Sequence, residues 1–265
     1  MLGARDMAGF AWATAPLSDF RAPVCAAAGY VLVVLVLERL MRLRGHGFET
    51  KYLQAAHNAI LCVLSLTMAV GTAVEVFRRV ASSHTDGAVL GPARWVFCED
   101  PRTEARGALW YQSYVYYLSK YYELLDTVLQ LLKGRPPPHF FLHVYHHATV
   151  LVMAWFWLEY VQSLQFIGLL FNTSVHVVMY YYYFRRVLGW PVWWKRYVTT
   201  FQIVQFGTSA VCGMVTLAML ASGADCAGPR VLLFNFVFNM TLMYQFFGVL
   251  GGGGKPKGPE GAKRL

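Results

Sequence analysis

The sequence predicts an all-α fold, a polytopic membrane protein with seven transmembrane helices in one bundle, and three observations predict it. Of 265 residues, 57% are hydrophobic and only 14% are charged, where an ordinary soluble domain carries about 25% charged residues. Seven segments approach the ~20 apolar residues that a helix needs to cross the hydrocarbon layer. The 18 Phe, 16 Tyr and 8 Trp supply the aromatic mass that bilayer interfaces and membrane helix packing favour. With 23 Gly and 11 Pro, a collagenous or low-complexity chain is excluded.

The expected spans are residues 24–38, 52–74, 108–132, 140–158, 163–184, 197–220 and 231–250. The first is short and has no basic patch upstream, so it reads as an insertion signal rather than a cleaved leader. Residues 1–250 are expected to form one membrane domain. Residues 251–265, GGGGKPKGPEGAKRL, read as a disordered basic tail. An odd number of crossings puts the termini on opposite sides. Arg42, Arg44, Lys51, Lys133, Arg135, Arg185, Arg186, Lys195, Arg196 and the tail residues Lys255, Lys257, Lys263 and Arg264 then share one side with few acids. Arg5, Arg21, Arg78, Arg79, Arg94, Arg102, Arg106 and Arg230 share the other, offset by Asp6, Asp19, Asp86, Glu99, Asp100, Glu104, Glu159 and Asp225. The positive-inside rule makes the first side cytosolic, with the C-terminus in the cytosol and the N-terminus across the membrane. The net charge of +9 follows from that topology and calls for no nucleic acid; anionic lipid or an anionic cosubstrate are the further partners it suits. Cys98 and Cys226 fall in loops on the non-cytosolic side, where oxidation is permitted, and predict a disulfide, against the alternative of two free thiols.

Ionisable groups within a span are costly unless paired or facing a polar cavity, so each marks a candidate site. The third span carries Lys120, Glu123, Asp126 and Thr127 in KYYELLDT, within an arc of about 120 degrees on one helix face. A buried structural ion pair is the plain alternative there. The fourth span opens with HVYHH, which sets His143, His146 and His147 within an arc of about 100 degrees. One such imidazole is usually core filling; three on one face are not. His139 follows a run of prolines and reads as a loop residue. The fifth span offers Asn172 and His176 one turn apart, with Met179, Tyr180 and Tyr183 on or near that face. Gln202 and Gln205 come from the sixth span, His57 and Asn58 from the second. Taken singly, these amides read as hydrogen-bonding links between helices. In the expected topology, however, all of these polar groups lie between the bilayer middle and the cytosolic face, while the other halves of the helices are apolar. That distribution predicts one polar chamber open to the cytosol, continued by an apolar channel. Such a site suits a ligand with a charged head and a long hydrocarbon tail.

KYYELLDT, HVYHH, NTSVHVVMYYYYF and TTFQIVQF, in this order on consecutive spans, resemble the ELO family of very-long-chain fatty acid elongases, the condensing enzymes of the endoplasmic reticulum. The likeness runs from residue 108 to about 206, with weaker support from the His57 and Asn58 pair. HxxHH alone is moderately specific, and the four runs together are very specific. The resemblance implies a helix bundle enclosing an acyl-chain tunnel and an acyltransferase, a 3-oxoacyl-CoA synthase. It would condense a long-chain acyl-CoA with malonyl-CoA, releasing carbon dioxide and CoA, with no cofactor or metal of its own. It also implies residence in the endoplasmic reticulum membrane beside the reductase, dehydratase and enoyl reductase of an elongation cycle. The tail, ending AKRL, shows no clear dilysine retrieval signal.

Cys62 and Cys212 have no titratable residue one turn away to activate them, so histidine is expected to carry the transfer. Neutral imidazole attacks a thioester and gives an acyl-imidazole, itself a good acyl donor. His146 is the preferred nucleophile, although the residues leave open which member of the box attacks. His176, carried over by the NxxVHxxMYxYY match, is expected to polarise the reacting carbonyl or manage the proton. His143 and His147 are expected to orient the nucleophile and bind the thioester oxygen or malonyl carboxylate. His147, Asn172 or Gln202 would donate to the enolate, while Asp126 and Glu123 fix a histidine tautomer and Lys120 balances their charge. Tyr180, Gln205, Thr127, His57 and Asn58 complete the supporting set. Lys133, Arg135, Lys195 and Arg196 are candidates for the CoA phosphates at the mouth, with a solvated topology signal as the equal reading. Two rivals remain at this point: a di-iron desaturase or hydroxylase, which needs about eight histidines in several boxes, and a seven-span receptor or transporter.

Overall fold

A computed structural model of the chain describes residues 7–83 and 90–252. The expected tail from residue 253 onward, His84, and the charges Arg5, Asp6, Asp86, Lys255, Lys257, Glu260, Lys263 and Arg264 lie outside the described residues. Among the described residues the fold is helical, with one isolated bridge between Ala11 and Arg106 and no extended strand.

The first helix, α1 (Arg21–Arg44), overruns its expected span at both ends and stops at Gly45, whose φ of 75° lets its amide close on the Met41 carbonyl. The loop behind it runs tight against residues 132–134, with the Phe48 amide on the Leu132 carbonyl at 2.8 Å. A Cβ at Gly47 would sit 2.1 Å from the Lys133 carbonyl oxygen, so the position admits only glycine. Helix α2 (Lys51–Ser82) continues well past the expected residue 74. Arg78 and Arg79, expected in a loop, therefore belong to its last turns. Their long stems allow this, because the charged heads reach beyond the apolar zone: Arg79 grips Glu99 through two bonds of 2.7 Å and lies 4.1 Å over the Trp95 ring.

A short helix, α3 (Arg94–Phe97), punctuates the following loop. The third expected span is not one rod but α4 (Ala108–Glu123) followed by α5 (Leu125–Leu132). At the junction the Leu124 amide bonds back only three residues, to Tyr121, which tightens the turn while the backbone stays near helical dihedrals. Next come α6 (Phe140–Glu159), α7 (Gln165–Leu188), α8 (Lys195–Ala221) and α9 (Pro229–Gly252). Arg185 and Arg186 close α7, and Lys195 and Arg196 open α8, rather than lying in loops. Helix α9 likewise carries on to Gly252, two residues into the expected tail.

Five of these helices, α1, α2, α6, α8 and α9, are long and apolar enough to cross a membrane. The remaining two of the seven expected spans are α4 with α5, which is broken and charged, and α7, which carries Gln165, Asn172, His176 and two arginines. Their polar residues are buried among the other helices: Lys120, Glu123, Gln165 and His176 are each 5% exposed or less. The outward faces are the reverse, with Leu32, Val63, Met214 and Val237 all more than half exposed. Apolar outside and polar inside is what a lipid solvent demands, and the chain is a multi-pass membrane protein. Exposed Tyr52, Phe141, Trp193, Tyr197 and Tyr244 collect at the end of the bundle that holds HVYHH, as an interfacial aromatic belt would.

Helix adjacency closes a ring. Helix α2 packs on α7, α7 on α8, α8 on α9, α9 on α6, α6 on α4 and α4 on α2, while α1 leans on α6 and α5 from outside. The end opposite HVYHH is sealed by two straps. One is the N-terminal segment, where Trp12 is buried and donates to Glu159 at 2.9 Å, and where Tyr117 and Trp155 donate to the Leu17 and Ser18 carbonyls. The other is the loop around α3, tied to the start of α9 by a Cys98–Cys226 disulfide with Cα atoms 4.8 Å apart. Cys25, Cys62 and Cys212 are free. Alkylation without reductant should therefore label three of the 5 cysteines, and full labelling should require reduction. Because the bridge spans a sequence separation of 128 residues, Cys98→Ser with Cys226→Ser should cost about 2–5 kcal/mol of stability, read as a lowered melting temperature in detergent.

Candidate active site

Polar residues of α4 form the first half of the site. Lys120 and Glu123 share a face one turn apart, each 1% exposed, and pair at 2.8 Å. Ser119 donates to the same carboxylate oxygen at 3.0 Å, and His176 Nδ1 stands 3.6 Å from it. The ammonium also donates to Asn172 Oδ1 on α7 at 3.2 Å and lies 4.0 Å over the Tyr116 ring. Tyr116 completes the knot by donating to Asn172 Oδ1 at 3.0 Å and stacking on Trp157. One buried cation is thus shared by a carboxylate, an amide oxygen and a ring face, which is how a membrane interior tolerates it.

Asp126 on α5 is the second hub. His57 Nε2 lies 2.8 Å from one carboxylate oxygen, and the Tyr180 hydroxyl donates to the other at 2.8 Å. His147 Nε2 stands 3.9 Å from that second oxygen. A carboxylate held in this way fixes the angle and tautomer of the imidazole bonded to it. Glu123 and Asp126 serve different histidines: Glu123 meets His176, and Asp126 meets His57 and His147.

HVYHH forms the first turns of α6, after His139, which caps the helix with a positive φ of 55°. The His147 ring packs edge-on against those of His143 and His146, at 4.9 and 5.3 Å between centroids. His146 faces away from the carboxylates, with its ring nearly parallel to Phe238 of α9 and its Nδ1 buried without a hydrogen-bond partner.

His146, Tyr116 and Asn172 stand at the head of a narrow cleft between α6, α7, α8 and α9. Val150, Met153 and Trp157 follow His146 down α6, with Ile167 and Gly168 of α7, Cys212 and Gly213 of α8, and Leu232 of α9 around them. The residues succeed one another along each helix toward the disulfide end, so the cleft is elongated and largely apolar. Gly168 lets α7 pack closely on Trp157 of α6: a Cβ there would meet the Trp157 ring at 3.0 Å.

The expected residues do not all converge. Lys120, Glu123, Asn172 and His176 form one group and Asp126, Tyr180, His57, His143, His146 and His147 another, joined where the His176 ring meets Tyr180 edge-on at 5.3 Å between centroids, and Gln205 lines the cleft. Thr127 instead ties α5 to α1 through Tyr30 at 2.6 Å. Asn58 bonds its own helix at the Gln54 carbonyl, and Gln202 touches only the Met179 sulfur, at 3.6 Å. Lys133, Arg135, Lys195 and Arg196 are exposed. Tyr116, Ser119 and Tyr30 were missed in the sequence reading. Tyr116 and Ser119 fall on the Lys120 and Glu123 face at helical spacing, which was the available signal. Among the described residues no group of three or more His, Cys, Asp or Glu side chains is arranged to hold a metal ion.

The fold and site define a class: a multi-pass helical membrane protein with a buried histidine and carboxylate cluster at the head of an apolar cleft. The chain matches the GNS1/SUR4 (ELO) family over residues 15–250 and belongs to that family. A Dictyostelium discoideum protein provisionally named a fatty acid elongase is 38% identical over 244 residues, covering 90% of this chain and 78% of that protein. Fatty acid elongase sre1 of the same organism is 35% identical over 212 residues, 77% of this chain and 74% of its own. Very long chain fatty acid elongase 4 of Mus musculus is 39% identical over 129 residues, 47% of this chain and 38% of its own.

Proposed function

We propose that the protein is a fatty acid elongase that condenses a long-chain acyl-CoA with malonyl-CoA to a 3-oxoacyl-CoA two carbons longer. The observation that carries this reading is the position of His146. A half-buried imidazole whose Nδ1 is shielded from solvent without a hydrogen-bond partner opens directly onto an elongated, mostly apolar cleft.

In the first half-reaction His146 attacks the acyl thioester carbon, the bond to sulfur breaks, and CoA leaves as the thiol with the imidazole proton. In the second, malonyl-CoA loses carbon dioxide, and the electron pair left on its α-carbon attacks the acyl-imidazole carbon. The carbon–carbon bond forms as the carbon–nitrogen bond breaks, and the departing imidazole nitrogen takes back a proton from solvent through the neighbouring histidines, which regenerates neutral His146. His176 and His147, each held near a carboxylate, serve as proton carriers or donors to the developing enolate oxygen. Asn172 is poorly suited to donate there, because its carbonyl oxygen is turned to Lys120 and Tyr116; its amide group remains available to the cleft. Gln202 loses its expected role, since it contacts a thioether instead.

All seven helical columns are read as spans, residues 1–250 as one membrane domain and residues 251–265 as a cytosolic tail. The HVYHH end faces the cytosol, where exposed Lys133, Arg135, Lys195 and Arg196 meet the CoA phosphates. Residence in the endoplasmic reticulum, beside the reductase, dehydratase and enoyl reductase that would consume the product, belongs to the same proposal. The test is purified protein in detergent with palmitoyl-CoA and labelled malonyl-CoA. Release of carbon dioxide with formation of 3-oxoacyl-CoA is the expected result, and stoichiometric bound iron with no condensation would favour the desaturase reading instead.

A further inference from the structure

The cleft that begins at His146 is not uniformly apolar. Asn235 and Asn239, one turn apart on α9, and Gln205 and Ser209, one turn apart on α8, all line it. Asn235 and Gln205 are only 9% and 8% exposed. The single hydrogen bond among the four side chains is from the Asn239 amide to Asn235 Oδ1, at 3.1 Å. That leaves the Asn235 amide donors, the Asn239 carbonyl oxygen and the whole Gln205 amide unengaged by other described side chains, with the cleft in front of them.

Depth in the bundle places these groups relative to the reaction centre. Phe238 stacks beside His146, and Tyr145 bonds Thr241 at 2.9 Å, so this part of α9 is level with HVYHH. Toward the disulfide end, Phe234 meets Phe156. Asn235 therefore lies on the acyl side of His146, level with Val150 and Met153, about 6 to 10 Å along the α6 axis. A plain alkyl chain seated there would strip solvent from the amides and offer them nothing in return. A chain carrying an oxygen at that depth would satisfy donor and acceptor at once, since a hydroxyl both donates and accepts.

We infer that the cleft is built for acyl chains bearing a hydroxyl in the half nearest the thioester, read by Asn235 and Asn239. The inference rests on the elongase reading for what enters the cleft, and it names the substrate class more narrowly. Asn235 and Asn239 act as specificity residues, with Gln205 and Ser209 facing them from α8.

The experiment compares binding and turnover of three ligands by the full chain in detergent: palmitoyl-CoA, a palmitoyl-CoA hydroxylated in the thioester-proximal half, and one hydroxylated at the chain terminus. Binding is read as displacement of a fluorescent acyl-CoA, which needs no turnover. The proximal hydroxyl should bind roughly two- to tenfold tighter than the plain chain, as one added hydrogen bond implies, and the terminal hydroxyl weaker than either. Asn235→Leu should erase or reverse the preference. Asn239→Leu should do the same through a different side chain, which guards against misfolding of the first variant. Equal or weaker binding of the proximal hydroxyl, or a preference unchanged in both variants, overturns the inference. If no ligand is condensed while the binding preference stands, the elongase reading fails and the specificity remains; if the plain chain is condensed without a preference, the reverse holds.

Discussion

His146→Ala should lower condensation by about 10³-fold or more, because it removes the nucleophile that splits one difficult acyl transfer into two easier ones. The fold should survive. The ring makes no hydrogen bond through Nδ1, and its packing is against Phe238 and the other box histidines, so the loss is confined to one wall of the cleft. The melting temperature should move little while turnover of labelled malonyl-CoA disappears. His176→Ala should also be severe, about 10²- to 10⁴-fold as expected for a positioned acid or base, but acyl transfer to His146 should persist there in a single-turnover experiment. A His146→Ala enzyme with full activity removes the covalent scheme.

Lys120→Met should be the most destabilising single change in the site, at about 3–5 kcal/mol. The methionine keeps the volume and the contact with Tyr116, but it strands Glu123, 1% exposed, with only Ser119 and a histidine to answer its charge. It also leaves Asn172 Oδ1 with one donor in place of two. Glu123→Gln in the same background should restore much of the stability, since two neutral groups leave no charge uncompensated. Melting temperatures of the two single variants and the double variant in detergent test this. If the double variant melts at the sum of the single losses, the pair is not coupled.

The sequence carried the fold because lipid imposes a length and a polarity rule that few residues escape. The spans at 140–158 and 197–220 agree with α6 (Phe140–Glu159) and α8 (Lys195–Ala221) to within two residues at each end. It failed at Arg78, Arg79, Arg185 and Arg186, which hydropathy expels from spans although long stems let them stay helical. The tightened turn at Leu124 was also invisible, since no Pro or Gly marks it and it shows only as one i to i−3 backbone bond. In the site, KYYELLDT and HVYHH announced themselves as charge and imidazole within apolar runs. What spacing could not give was the division of labour: Glu123 serves His176, Asp126 serves His57, and Thr127 turns away to Tyr30. Asn235 and Asn239 could have been noticed by the rule that singled out Asn172, because NFVFN sets two amides one turn apart within an apolar span.

The central claim is that His146 carries the acyl group between the two half-reactions. Intact and peptide mass spectrometry of the protein incubated with palmitoyl-CoA alone tests it most directly. The account predicts one added palmitoyl mass per chain, localised to His146, released as 3-oxoacyl-CoA when malonyl-CoA is supplied, and missing in His146→Ala. An adduct on Cys62 or Cys212, or condensation at full rate with no adduct on any histidine, would contradict it.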